Sequence, residues 1–250
     1  MQKFVRHTPF IAEQLNIAPS KVFPAGKGFK NRPKIDDIQR CSINNRIDNV
    51  LCTIREINNE VGYNLFDNEG WREWGVAELL RKSGYASFTL MNSRVGQDAE
   101  CLCHDLRRIE IKTSKIATKS LRASNGFAEF CRQNTKQGLD SATNGYDGIV
   151  LALFHAFVLN PLLVVFVNTA NGVEKFRSLV AAKQEEFSKT AAEQGSTMVS
   201  GRDSIRITFR NVYENLDAQE YEIYYNGARI DDISSFLKQL YSKQGLEIVK

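Results

Sequence analysis

Two nearly uninterrupted apolar runs, at residues 146–157 and 162–168, restrict the architectures open to this chain. A strand with one wet face alternates apolar and polar residues. A run without alternation suits a strand buried on both faces, in the middle of a covered sheet. Pro161 separates the two runs. His155 lies inside the first, where a lone histidine reads as a satisfied core residue rather than a ligand. Helical spacing supplies the cover. Ile43, Ile47, Val50, Leu51, Ile54, Ile57 and Val61 predict a helix over 36–61, with Gly62 as its stop. A second helix over 73–83 carries Val76, Ala77, Leu79 and Leu80 and ends at Gly84. A third, over 173–194, has Phe176, Leu179, Val180 and Phe187 on one side, and 231–242 reads as a closing helix. The expected fold is α/β, a central mixed β-sheet flanked by helices, with N- and C-terminal additions.

The remaining segments are shorter. Residues 85–91, 95–103 and 107–113 read as three successive strands, and 204–212 and 220–225 as two more. Asn226-Gly227 is a turn signal. Residues 127–137 suit a short helix inside the polar stretch 114–145, and 195–203 reads as a polar turn region. Residues 1–34, punctuated by Pro19, Pro24, Gly26, Gly28 and Pro33, read as mostly loop, either an arm that wraps a partner or a flexible leader. A chain of 250 residues can form one large domain or two small ones, and a single domain is expected. The expected division is an N-terminal arm and helix over 1–62, a core over 63–170 and a C-terminal addition over 171–250.

The chemistry gathers in residues 95–114. In a strand, successive side chains point to opposite faces. Glu110 and Lys112 therefore share one face, with Ile111 turned to the other. If 95–103 and 107–113 pair as a hairpin, Asp98 comes close to Glu110. Two carboxylates and an ammonium then form one patch, backed by Ile109 and Ile111. Carboxylate oxygens are hard ligands that suit Mg²⁺ and leave room for waters and a phosphate. The plain alternative is a cross-strand ion pair on a solvated face.

With these residues in view, the chain resembles the PD-(D/E)xK nuclease superfamily, which includes most type II restriction endonucleases. The match is Gly96-Gln97-Asp98-Ala99 and, twelve residues on from Asp98, Glu110 within Ile109-Glu110-Ile111-Lys112-Thr113-Ser114. Upstream, Gly70-Trp71-Arg72-Glu73 followed by Val76, Leu79, Leu80 and Gly84-Tyr85 resembles the family's first core helix. No proline precedes Asp98, where the name-giving motif has one. The resemblance implies a restriction-endonuclease-like core. It makes Asp98 and Glu110 metal ligands together with the Ile111 backbone carbonyl, Lys112 the catalytic lysine, Glu73 an accessory acid and Mg²⁺ the cofactor. For Glu73 the alternative is a carboxylate placed in the first helical turn by the helix dipole. The implied activity is sequence-specific cleavage of double-stranded DNA, with a homodimer for symmetric cutting and a cognate DNA methyltransferase as a genetic rather than physical partner. A structure-specific repair or junction nuclease is a second reading, and a non-catalytic DNA-binding module a third. Because 114–145 leaves directly from Lys112, Lys115, Lys119, Arg122 and Asn125 are the first candidate DNA contacts.

Charge is permissive rather than decisive. The net charge is only +4, but its distribution is uneven. Residues 1–40 hold eight Lys and Arg against three acids, and residues 107–136 hold eight against two. Basic segments on either side of a carboxylate site suit a polyanion. The five cysteines, Cys41, Cys52, Cys101, Cys103 and Cys131, are odd in number and lack the CxxC spacing of a zinc site, which points to a reducing compartment. No run reaches the ~18 apolar residues of a membrane span. A cytoplasmic protein without a membrane partner is expected.

Overall fold

A computed structural model describes residues 6–15, 18–19, 44–61, 69–90, 99–102, 105–116, 128–132, 146–155, 160–193, 204–242 and 246. The chain runs through helices α1 (Thr8–Leu15), α2 (Asn44–Val61) and α3 (Glu69–Lys82), then strands β1 (Thr89–Leu90), β2 (Ala99–Leu102), β3 (Asp105–Ile116), β4 (Ala128–Arg132), β5 (Gly148–His155) and β6 (Pro161–Val167). Helix α4 (Ala170–Glu193), strand β7 (Ser204–Ile207), helix α5 (Phe209–Asn215), strands β8 (Tyr221–Tyr225) and β9 (Ala228–Arg229) and helix α6 (Ile233–Tyr241) follow. Among the described residues, seven strands form one mixed sheet in the order β1-β2-β3-β5-β6-β8-β9. Only β3 and β5 run parallel, from Ile109 beside Gly148 to Ile116 beside His155; every other neighbouring pair in this sheet is antiparallel. Strands β4 and β7 pair separately as a small ribbon.

The two apolar runs are β5 and β6, and every residue of β6 is buried. Alternation along the strands divides the core in two. On face one, Ile109, Ile111, Val150, Ala152, Phe154, Val164, Phe166 and Tyr224 pack under α1, α2 and α3. On face two, Ile149, Leu151, Leu153, Leu163, Val165, Val167 and Ile223 pack under α4, α5 and α6. At roughly 1.5–3 kcal/mol for each large apolar side chain buried, these two layers supply the main driving force that opposes the loss of chain entropy.

Several elements depart from the expectation. Part of the stretch read as loop is a helix: α1 buries Ile11 and Ala12 in the face-one core, against α2. Helix α3 starts at Glu69, one turn before the expected start, because Trp71 and Trp74 extend its apolar stripe. Both are buried, edge to face with ring centroids 5.0 Å apart. Glu73 therefore sits in the second turn, where a helix-dipole role loses force. The chain from Tyr85 to Phe88 is a turn rather than a strand, with the Tyr85 amide bonded to the Leu80 carbonyl and the Phe88 amide to the Tyr85 carbonyl. Residues 128–132, expected in a helix, form β4 because β7 gives them a strand partner. The strand expected over 204–212 stops at Ile207. Thr208 accepts a hydrogen bond from the Asn211 amide and the Asn211 side chain bonds back, a capping box that starts α5. Asn226 and Gly227, with φ of 49° and 84°, form the expected tight turn between β8 and β9.

The start of α4 gives a first prediction. Thr169 Oγ1 accepts the Gly172 amide at 3.1 Å, and the helix start packs against Glu220. A Cβ on Gly172 would lie 2.8 Å from the Glu220 carbonyl oxygen and 2.9 Å from Glu220 Cβ. Alanine gains about 1 kcal/mol over glycine inside a helix, whereas overpacking costs about 1–3 kcal/mol. The blocking atom is backbone and cannot rotate away. Gly172→Ala should therefore lower stability by about 1 kcal/mol net, read as an earlier midpoint in urea; a later midpoint would refute the close approach.

Candidate active site

Strand β3 carries the site. Its register beside β5 is regular, so its side chains alternate without interruption. Ile109, Ile111 and Thr113 point to face one; Arg108, Glu110, Lys112 and Ser114 point to face two. Ile109 and Ile111 are completely buried and fix the strand from behind. On face two, Glu110 stands beside Ile149 of β5 and Lys112 beside Leu151. Glu110 is only 2% exposed. The Lys112 ammonium forms an ion pair with Glu110 Oε1 and keeps a quarter of its side chain in solvent. The pair is thus between alternate residues of one strand, not across two strands.

Strand β2 pairs antiparallel with β3, as the hairpin reading requires, with Glu100 opposite Arg108 and Ala99 opposite Ile109. Asp98 lies outside the described residues, and so do Lys119, Arg122 and Asn125. Among the described residues, no group of three or more His, Cys, Asp or Glu side chains could hold a metal. Lys115, expected on a connection, is exposed on β3 itself, which runs on to Ile116. Its odd position turns it to face one, away from Lys112.

Glu73 is buried, but its helix covers face one, on the other side of the sheet from Glu110 and Lys112. What α3 does bring to β3 is Arg72, whose Nε donates to Thr113 Oγ1 at 3.0 Å. That bond ties down the residue next to Lys112. The sequence carries no signal for this bond, since it joins positions 41 residues apart. At the other end of the site, Arg108 and Asp147 exchange hydrogen bonds: the Arg108 amide donates to Asp147 Oδ2 at 2.8 Å, and the Asp147 amide to the Arg108 carbonyl at 2.7 Å.

No protein-family model matches the chain, and no curated protein is detectably similar to it. Among the described residues, no helix is long and apolar enough to cross a membrane.

Proposed function

We propose that this chain is a Mg²⁺-dependent, sequence-specific double-stranded DNA endonuclease of the type II restriction class, acting in the cytoplasm through Asp98, Glu110 and Lys112. The observation that carries the proposal is Glu110, a buried carboxylate standing beside Ile149 on the sheet and ion-paired to a lysine that still reaches solvent. Desolvating such a pair costs several kcal/mol per ion. Charges held at that cost cluster where chemistry needs them.

The hairpin register adds support. An antiparallel ladder advances one residue up one strand and one down the other. The rung that the proposal requires, position 98 with position 110, is the next after Ala99–Ile109. Residues directly opposite on such a ladder have Cβ atoms about 5 Å apart, close enough for two carboxylates to share one cation. Hard oxygen donors of this kind fit Mg²⁺, held by Asp98, Glu110 and the Ile111 carbonyl. When bound, Mg²⁺ supplies a polarised water and neutralises charge on the phosphate. Lys112 stands beside the scissile phosphate and stabilises the negative charge that grows on it in the transition state. Ile109 and Ile111, locked in the opposite layer, keep both side chains aimed. Glu73 is left out of the metal set because its helix covers the other face.

Symmetric cutting calls for a homodimer, and a restriction role for a methyltransferase encoded alongside. The large segments outside the matched core favour a reader of sequence over a bare junction resolvase. The test is digestion of mixed plasmid and phage DNA by the full chain, with and without Mg²⁺. Discrete fragments that disappear on chelation are expected. Preference for branched substrates would favour the repair or junction reading. Binding without any cleavage would favour the non-catalytic module.

A further inference from the structure

We infer that Arg108 is a further DNA-binding residue, which grips a backbone phosphate neighbouring the one that is cut. The inference rests on the endonuclease reading and extends its site along β3. Arg108, Glu110 and Lys112 share face two, with about 7 Å between successive members of the row. Hydrogen bonds with Asp147 on both sides of the Arg108 peptide fix its backbone. Its side chain is exposed.

The nearby arginines differ from it. Arg107 Nη1 donates to the Asn168 carbonyl at 2.9 Å, Arg177 Nη2 to the Tyr146 carbonyl at 2.6 Å, and Arg72 Nε to Thr113. Each is engaged in holding the fold together. Among the described residues, the Arg108 guanidinium makes no hydrogen bond or ion pair. An arginine on a fixed backbone, open to solvent and in line with a catalytic acid and lysine, suits bidentate contact with a phosphate. It follows the polyanion without reading its sequence. The internal competitor is Glu100, which occupies the register position opposite Arg108.

The experiment is binding of the full chain to a cleavable duplex and to a scrambled one, with Ca²⁺ replacing Mg²⁺, over a range of salt concentrations. Arg108→Ala should raise Kd about tenfold on both duplexes, the loss of a charge-assisted hydrogen bond. The slope of log Kd against log salt should fall by about 0.9, one phosphate contact. Under Mg²⁺, KM should rise while kcat changes by less than about twofold. Arg108→Lys should keep the slope and recover part of the affinity. An unchanged Kd and slope, in a chain that still binds and cuts DNA, would overturn the inference and leave the endonuclease reading standing. So would a loss confined to the cleavable duplex, which indicates a base contact. Equal destabilisation by Arg108→Ala and Glu100→Gln with no change in slope would assign Arg108 to an internal ion pair instead. A wild-type chain that binds no DNA at all would overturn both.

Discussion

Glu110→Gln should abolish Mg²⁺-dependent cleavage, a loss of about 10³-fold or more, while the protein stays folded and still binds DNA. The substitution keeps size and shape and removes one charge. A carboxylate that holds a divalent cation contributes several kcal/mol to the transition state, and about 1.4 kcal/mol corresponds to each tenfold in rate. Asp98→Ala should give the same loss. Lys112→Met makes the decisive comparison. If the pair is catalytic, this variant also stops cutting, although its defect lies in transition-state charge rather than in metal retention. Its measured affinity for Mg²⁺ should then persist or rise, because the ammonium paired with Glu110 Oε1 competes with a cation for that carboxylate. If the pair only stabilises the fold, Lys112→Met removes the ammonium from a buried carboxylate and lowers thermal stability, whereas any cleavage by the wild type continues in both variants. Continued cleavage in Glu110→Gln would end the endonuclease proposal.

How far the site was legible follows from which distances in the chain it depends on. The shared face of Glu110 and Lys112 is a period-two fact within three residues, and β3 displays it. The same parity includes Arg108, so that residue was equally readable. What the spacing does not encode is that its backbone is held by Asp147, 39 residues further on. Which layer a helix covers is not a local property. Glu73 lies in the helix expected to contain it, yet that helix packs on Ile109 and Ile111, behind the site. No spacing within α3 encodes that choice.

The fold divides in the same way. Strands β5 and β6 were plain because burial on both faces leaves a continuous apolar run. Strand β4 was not, because a five-residue segment can become a strand or a helix turn according to the partner it meets. The start of α5 was hidden by Ile205, Ile207 and Phe209, whose alternation imitates a longer strand. The Thr208-x-x-Asn211 capping pattern at the same place was the better guide. Polar residues at fixed offsets outweighed apolar alternation there, since unsatisfied helix-end amides must find partners.

The largest expected effect on stability lies away from the site, at Glu78. This carboxylate is 3% exposed between α2 and α3. Arg55 Nη1 donates to its Oε1 at 3.2 Å, Arg55 Nη2 pairs with its Oε2, and Lys82 Nζ reaches Oε1 at 2.7 Å. Burial pushes the Glu78 carboxyl up, but Arg55 and Lys82 together outweigh it and hold the group below its ordinary value. Glu78→Leu keeps much of the volume and leaves Arg55 without its acceptor. Breaking a buried pair costs about 3–5 kcal/mol. The Arg55 side chain keeps 23% of its surface in solvent and can relax outward, so the lower end, about 3 kcal/mol, is expected. Arg55→Leu combined with Glu78→Leu should recover most of that loss, because two well-packed apolar residues replace a buried ion pair at little cost. The dependence on pH has a definite sign. With its folded-state pKa lowered, Glu78 contributes its full stabilisation above the ordinary carboxylate range and loses it as pH falls through the lowered value. Urea unfolding of the wild type and Glu78→Leu should therefore show a gap that is constant near neutrality and closes in acid. A gap that widens on acidification, or a single variant as stable as the double, would show that the network does not hold α2 to α3.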